Sequence, residues 1–109
     1  MQASQAEIWW AQLPQPAGRR PVLVLTRSSI IGQRMSVTVA PLTRSNRHIR
    51  SEVILSPADG VPTACVISLD NIGTFPKRML DKRLTALAPA KMQEVFAAIR
   101  FAFAIPHDA

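Results

Sequence analysis

The amino-acid sequence predicts a mainly β domain that ends in a single helix, and two observations lead to this fold class. Short apolar runs separated by turn-forming residues occupy residues 8–69, which is typical of consecutive antiparallel strands. The apolar residues then recur at helical spacing after Pro89. Strands in a row followed by one helix predict a small, strongly bent antiparallel sheet or partly closed barrel, with the helix packed against it. A chain of 109 residues is short, so we expect a single domain over residues 1–109.

Five apolar runs are the predicted strands, and they cover residues 8–13, 22–26, 35–42, 53–55 and 64–69. The second run is apolar at every position from 22 to 25, which predicts a central strand that is covered on both faces. The third run alternates between apolar and polar residues over 35–39, so one face of that strand should meet solvent. Trp9 and Trp10 are neighbours on a strand, so one ring should enter the core and the other should be half-exposed.

The C-terminal helix is predicted over residues 89–104. Pro89 suits the first helical turn and Pro106 ends the helix, whereas Ala88 has no side-chain oxygen that could cap it. Phe101 lies off the apolar stripe and is available to a partner chain or to packing at the helix end. The stripe itself should pack on the sheet, and it consists of Met92, Val95, Phe96, Ile99 and Phe103.

The charge distribution indicates a polyanionic partner. The chain has a net charge of +6, and the segment between Ile8 and Ser51 contains seven arginines and no acidic residue. Arginine offers a planar set of donors that pairs with phosphate oxygens and stays protonated at physiological pH, so nucleic acid is the first candidate. Composition alone leaves open a basic face that is merely solvated. The seven residues are Arg19, Arg20, Arg27, Arg34, Arg44, Arg47 and Arg50.

Other kinds of site are disfavoured by the residue counts. One cysteine and two histidines cannot build the usual four-ligand zinc site, so we expect neither a metal nor another cofactor. Cys65 is interpreted as a buried strand residue, His48 as a surface residue and His107 as part of the tail. No basic leader and no apolar run of about 18 residues is present, so we expect no membrane segment and a cytoplasmic protein.

A hairpin between the second and third runs should bring two polar residues together. If these runs pair in antiparallel fashion around residues 27–34, Arg20 faces Thr43 at the open end of the hairpin. Arg44 and Arg47 follow Thr43 closely, so this end is predicted to bind an anion. Two simpler interpretations stay open, in which Arg20 is a charge on the sheet rim and the Thr43 hydroxyl only bonds its own turn.

Three sequence motifs occur in order at residues 7–14 (EIWWAQLP), 18–24 (GRRPVLV) and 37–43 (VTVAPLT). Together they resemble the successive motifs of the MazF/PemK-type toxin endoribonucleases of toxin-antitoxin systems. Residues 64–70 are similar to the family's fourth-to-fifth-strand region, and residues 77–87 resemble its basic stretch before the terminal helix. The resemblance extends from about Glu7 to Ala104.

This resemblance implies an SH3-like barrel that acts as a homodimer, cleaves single-stranded RNA such as mRNA at short sequences, and is inhibited by an antitoxin with an acidic, initially disordered segment. It further implies that the 2′-hydroxyl attacks the adjacent phosphate without a metal, which leaves a 2′,3′-cyclic phosphate and a 5′-hydroxyl. The family's catalytic Arg before a Pro matches Arg20, and its Thr at the end of the third strand matches Thr43. RNA contacts are expected from Arg19, Arg44, Arg47, Lys77 and Arg78.

Two segments depart from the family pattern. Many members read Gln-Ile-Arg-Thr where this chain reads Asn-Ile-Gly-Thr, so Gly73 replaces an arginine whose contacts Lys77 and Arg78 could take over. The segment 14–20 lacks the acidic residue that many relatives carry before the Gly-x-Arg-Pro motif. A second function stays open, that of a non-catalytic toxin of the same fold that binds a protein such as DNA gyrase, as CcdB-type toxins do. Arg20 and Thr43 favour the nuclease.

Overall fold

The computed structural model describes residues 2–106, and within them the chain forms seven strands, two α-helices and three single-turn 3-10 helices. The α-helices are α1 (Ser28–Ile31) and α2 (Pro89–Ala102). The strands are β1 (Glu7–Gln12), β2 (Arg19–Val24), β3 (Ser36–Thr43), β4 (Glu52–Leu55), β5 (Cys65–Ser68), β6 (Gly73–Pro76) and β7 (Leu80–Ala86).

The strands pair antiparallel in the order β4-β5-β3-β2-β1-β7, and β6 also pairs with β3. β3 has room for both β6 and β5 because residues 36–39 pair with β6 and only its last two residues pair with β5. No ladder joins β4 to β7 within the described residues, and α2 packs against β4 instead. The mainly β fold with a C-terminal helix is confirmed, but the sheet is open and not a closed barrel.

Five of the strands match the predicted runs, with ends shifted by up to three residues, whereas β6 and β7 were not predicted. β6 is four residues long and contains a glycine and a proline, both of which are unfavourable in strands. β7 lies at the edge of the sheet and exposes three consecutive charged residues, so it lacks the apolar pattern of an internal strand.

The sheet carries an apolar cluster on each face. Leu23 belongs to the cluster beneath α2, whereas Val22 and Val24 belong to the cluster on the other face, and all three are fully buried. The prediction of a central strand covered on both sides is therefore confirmed. Trp9 is buried and Trp10 is half-exposed, as expected for neighbours on one strand.

The C-terminal helix begins at Pro89 as predicted but ends at Ala102, two residues early. Phe103 caps it by donating its N–H to the Ile99 carbonyl, and Ala104 has a φ of +55°, which a continuing helix does not allow. Phe103 therefore leaves the predicted stripe and is exposed. No helix among residues 2–106 has the length and apolar character needed to cross a membrane.

Candidate active site

The hairpin between β2 and β3 fixes the position of Arg20 relative to Thr43. Val22 faces Pro41, and Val24 faces Val39. The same register, continued by two residues, brings Arg20 opposite Thr43, which agrees with the predicted hairpin. Thr43 is also the last residue of β3, where the strand turns to pair with Val66 of β5.

Two cavities of similar size meet at this pair. The first, here called the Trp10 cavity, has a volume of about 440 Å³ and is lined by Trp10, Arg19, Arg44 and Cys65 among others. The second, here called the Phe75 cavity, has a volume of about 410 Å³, and its lining includes Arg47, Glu52, Ser68, Asn71 and Phe75. Arg20 and Thr43 are the two described residues that line both cavities. They therefore stand at the boundary between the cavities.

The side chains of this pair are oriented by hydrogen bonds to their own loops. Arg20 donates its Nε–H to the Ala17 carbonyl at 3.1 Å, which leaves the two terminal nitrogens of the guanidinium free to bind an anion. Thr43 Oγ1 accepts the Ser45 N–H at 3.2 Å, so the hydroxyl proton remains available to a second acceptor. The local turn bond considered from the sequence is therefore present, and it does not consume the donor.

The backbone partners of these two hydrogen bonds show that the side chains of Arg20 and Thr43 point toward the Phe75 cavity. Ala17 and Ser45 line the Phe75 cavity and not the Trp10 cavity. Because successive strand residues alternate between faces, the neighbouring Arg19 and Arg44 belong to the opposite face, on the side of the Trp10 cavity.

The Trp10 cavity combines an aromatic ring with three arginines, which are Arg19, Arg20 and Arg44. The guanidinium carbon of Arg19 lies 4.8 Å from the centroid of the Trp10 ring, a cation–π arrangement. Arg19 Nη2 also lies 2.6 Å from Asp81 Oδ2 in an exposed ion pair. Exposed pairs of this kind contribute little to stability, so Arg19 can exchange Asp81 for a phosphate at small cost.

Cys65 lines the Trp10 cavity but is only half-buried, in contrast to the buried residue that the sequence suggested. Burial raises the pKa of its thiol and the Asp59 carboxylate adds to this effect, while the Arg44 charge opposes it. A thiol with a raised pKa is protonated at neutral pH and is a poor nucleophile. The cavity therefore offers binding groups and no activated cysteine.

Gly73, where the family pattern led us to expect an arginine, lies against the Phe75 ring. A Cβ at position 73 would lie 2.9 Å from Cε2 and 3.0 Å from Cζ of the Phe75 ring, so the ring would have to shift to admit a side chain there. The ring thus occupies the space that a side chain at position 73 would need. This part of the cavity is therefore aromatic and carries no charge from position 73.

Three residues of the Phe75 cavity were missed by the sequence analysis. Glu52 Oε1 accepts the Arg47 N–H at 2.9 Å, and Asn71 Nδ2 donates to Ser68 Oγ at 2.7 Å. Pairing of β4 with β5 places Glu52 at this cavity, and the turn after β5 places Asn71 there. Pairing of β3 with β6 places Phe75 at the cavity. The only sequence signal for Glu52 is that it is the first acidic residue after the seven arginines.

Other predicted residues lie away from this boundary. Lys77 donates its Nζ to the Ile31 carbonyl of α1 at 2.8 Å, and the exposed Arg78 follows it, so neither residue lines a cavity with Arg20. Their RNA contacts remain a prediction. His48 is exposed and lines neither cavity, and His107 lies outside the described residues. Residues 2–106 contain no cluster of His, Cys, Asp and Glu arranged to hold a metal ion.

Comparison with known proteins agrees with this geometry. A family model described as "PemK-like, MazF-like toxin of type II toxin-antitoxin system" matches residues 4–103. The chain belongs to this family. The resemblance drawn from the sequence motifs is therefore confirmed, and the match includes both Arg20 and Thr43.

Relatives in the MazF family are similar over nearly their whole length. "Probable endoribonuclease MazF2" of Mycobacterium tuberculosis strain H37Rv is 39% identical over 97 residues, which cover 88% of this chain and 93% of the relative. "Probable endoribonuclease MazF5" of the same strain is 34% identical over 100 residues, 91% of either chain.

Solved structures of similar proteins agree with the fold. The Mycobacterium tuberculosis toxin MazF-mt6 superposes with a TM-score of 0.86 at 33% identity, covering 92% of this chain and 98% of that one. An endoribonuclease in complex with its cognate antitoxin, from a mycobacterial species, superposes with a TM-score of 0.85 at 23% identity, covering 95% and 97%. The gyrase-binding alternative is not favoured by these comparisons.

Proposed function

We propose that this endoribonuclease toxin of the MazF family cleaves single-stranded RNA at short sequences without a metal ion, and that Arg20 and Thr43 act on the scissile phosphate. The observation that carries the proposal is the position of the two side chains at the boundary between two cavities. An RNA strand that crosses this boundary inserts one nucleotide into each cavity. The phosphate between the two nucleotides then lies beside the free guanidinium nitrogens and the free hydroxyl proton.

The chemistry needs groups of this type. The 2′-oxygen attacks phosphorus and loses its proton, the bond from phosphorus to the 5′-oxygen breaks, and the departing 5′-oxygen gains a proton. Negative charge grows on the phosphoryl oxygens during attack, so fixed donors stabilise the transition state more than the ground state. Arg20 supplies positive charge and paired donors, and Thr43 supplies one neutral donor. The products are a 2′,3′-cyclic phosphate and a 5′-hydroxyl.

The neighbouring arginines serve binding and not the chemical step. Arg19 and Arg44 line the Trp10 cavity and Arg47 lines the Phe75 cavity, so each can neutralise a phosphate next to the scissile one. Lys77 and Arg78 would contact only a longer RNA that continues past β6.

Chelation and end-mapping test this function directly. The purified protein is incubated with a long single-stranded RNA in excess chelator, and both new ends are mapped. We expect cleavage that leaves a 2′,3′-cyclic phosphate and a 5′-hydroxyl. A strict need for an added divalent metal, or 5′-phosphate products, would contradict the mechanism.

We also propose that the toxin works in the cytoplasm as a homodimer and is inhibited by an antitoxin whose acidic, initially disordered segment folds onto the arginine-lined cavities. The antitoxin complex of the mycobacterial endoribonuclease supports a protein inhibitor, and the net charge of +6 favours an acidic one.

Sedimentation should give a dimer at micromolar concentration, and a fully active monomer would contradict the dimer. An inhibitor that leaves Arg20 and Arg44 accessible would contradict the competition.

A further inference from the structure

The Phe75 cavity has the form of a nucleobase pocket. Its volume of about 410 Å³ falls within the range of roughly 300–1,000 Å³ that is usual for small-molecule sites. Val39 and Pro41 give it an apolar wall, and the half-buried Phe75 ring is held against Gly73 with no side chain between them. Aromatic rings in such positions stack on bases without regard to their sequence. Stacking therefore explains how a base is held, and other groups must decide which base.

The strand register directs the polar groups of this cavity to one face. Thr43 faces Val66 on β5, and Glu52 faces Ser68 on the same strand. Val66 and Ser68 are two residues apart, so their side chains share a face, and Thr43 and Glu52 share it with them. Of the two nucleotides that flank a phosphate at Thr43, the one that enters the Phe75 cavity therefore has its base on the same side of the sheet as Glu52.

Glu52 presents a fixed acceptor to this space. Its Oε1 accepts the Arg47 N–H at 2.9 Å, which orients the carboxylate, and within residues 2–106 it forms no ion pair. Oε2 is therefore left to accept another hydrogen bond. Asn71 donates its Nδ2 to Ser68 Oγ, which leaves its Oδ1 as a second acceptor.

The negative charge of Glu52 would be unfavourable in a site that attracted RNA by charge alone. Glu52 is the single acidic residue among the described residues that line the two cavities. It repels the phosphates that Arg20 and Arg47 attract, so its presence weakens non-specific binding. A carboxylate that accepts a hydrogen bond from a base edge offsets this repulsion for selected bases only.

We propose that the Phe75 cavity is a base-selecting subsite next to the scissile phosphate, and that Glu52 makes it prefer a base with an exocyclic amino group over uracil. This subsite rests on the proposed RNA cleavage at Arg20 and Thr43. Cytosine, adenine and guanine each carry an amine that donates to a carboxylate oxygen. Uracil has a single N–H between two carbonyl oxygens. These carbonyl oxygens would be repelled by the acceptor oxygens of Glu52 and Asn71.

Cleavage of a random-sequence RNA pool tests the preference first. We expect uridine to be depleted roughly tenfold at one of the two positions that flank the cut, on the scale of one base-edge hydrogen bond. An oligonucleotide with cytidine at that position should then be cleaved about tenfold faster than the same oligonucleotide with pyrimidin-2-one riboside, which lacks only the amine. Equal cleavage of the two would overturn the subsite, and this comparison needs no variant protein.

Glu52→Gln tests the assigned residue. Glutamine keeps an acceptor for the Arg47 N–H and can pair with an amine or a carbonyl, so the discrimination between cytidine and uridine should fall to within about twofold. Glu94→Gln is the matched control, because it removes the same charge from the exposed face of α2, where Glu94 pairs with Lys91. It should keep the full discrimination. A Glu52→Gln protein that also kept it would remove Glu52 from the role.

Binding of oligonucleotides that cannot be cleaved tests the base-selecting subsite independently of the nuclease activity. Short oligomers of deoxycytidine and of deoxyuridine lack the attacking hydroxyl, and their affinities are measured by titration. We expect tighter binding of the deoxycytidine oligomer and loss of the difference in Glu52→Gln. That result without cleavage of any RNA would leave the subsite standing and contradict the proposed function. Cleavage of RNA with no preference in either assay would contradict the subsite alone.

Discussion

Arg20 is tethered by its own loop before any substrate arrives. The bond from Nε to the Ala17 carbonyl sets the plane of the guanidinium and aims its two terminal nitrogens. Lysine keeps the charge, but it has no equivalent of Nε and no planar pair of donors. Long-range attraction of RNA depends on the charge alone, whereas binding of two phosphoryl oxygens depends on the geometry.

Arg20→Lys should therefore lower the cleavage rate by roughly 10²-fold while RNA affinity changes little, on the scale of losing one preorganised donor. Single-turnover cleavage and equilibrium binding measure the two effects separately. Arg34→Lys is the matched control, because Arg34 is exposed and lines neither cavity. A lysine variant that cleaves at the normal rate would mean that Arg20 only attracts RNA.

Thr43 tests the neutral donor in the same way. Thr43→Val is nearly isosteric but removes the hydroxyl, so we expect a rate loss of roughly 10²-fold with the fold intact by circular dichroism. Thr43→Ser restores the proton donor and the acceptor for the Ser45 N–H, and it should recover most of the rate. Near-normal turnover of the valine variant would indicate that the catalytic centre lies elsewhere.

At the scale of the elements, the edge strand β7 is joined to β1 by its backbone ladder and also by the carboxylate of Glu7. Glu7 Oε2 accepts from Arg83 Nε at 2.9 Å, and its Oε1 accepts from Trp9 Nε1 and from the Ser4 N–H. Burial acts to raise the pKa of Glu7, but the hydrogen bonds from Trp9, Arg83 and Ser4 hold the pKa below its ordinary value of 4.5. The folded protein therefore favours the charged form of Glu7.

Because this pKa is lower in the folded state, the stability that Glu7 contributes is present above pH 4.5 and is lost as the pH falls through the folded-state pKa. Glu7→Gln should lower the Tm at neutral pH, and the difference from the unaltered protein should shrink on acidification. Melting curves between about pH 7 and pH 3 measure it, since this window spans the ordinary glutamate pKa. Glu94→Gln should change the Tm little at any pH. A Tm difference that stays constant with pH would assign the loss to packing.

The strands that form the site show which parts of it can be predicted from the sequence. The strand that carries Arg20 and the strand that carries Thr43 are consecutive in the chain, so a hairpin register was enough to pair the two residues. Glu52 and Phe75 come from strands whose order in the sheet differs from their order in the chain. No local pattern reports this order, because Phe75 reaches the site only through pairing with the first half of β3.

At the scale of the whole molecule, the basic charge is not spread evenly. Four of the seven arginines between Ile8 and Ser51 line the two cavities. Arg27 and Arg34 line a separate cavity, and the Arg50 guanidinium stacks on the Phe101 ring at 4.5 Å. The net charge of +6 attracts RNA from any direction, but only the four cavity arginines are placed to contact it at the site.

The salt dependence of RNA binding should show how many arginines contact phosphates. Four phosphate contacts predict a slope of about −3 when log affinity is plotted against log salt concentration, since each contact on a single strand contributes about −0.7. Arg44→Gln and Arg47→Gln should each reduce the steepness by about 0.7, whereas Arg27→Gln and Arg34→Gln should leave it unchanged. A nearly flat plot, or equal effects of all four variants, would contradict the cavities as the RNA site.

The alternation of neighbouring side chains between the two cavities also restricts how this protein can evolve. Arg19 and Arg20 are adjacent in sequence, but Arg19 lines only the Trp10 cavity whereas Arg20 also lines the Phe75 cavity, so Arg19 cannot take over from Arg20. A single residue inserted between Arg20 and Val24 would exchange the two faces of that segment, because every following side chain would reverse its direction. Turns that contribute no residue to either cavity have no such restriction, since they only have to return the chain to the next strand. Changes of length among descendants of this chain should therefore accumulate in the turns and be absent from β2.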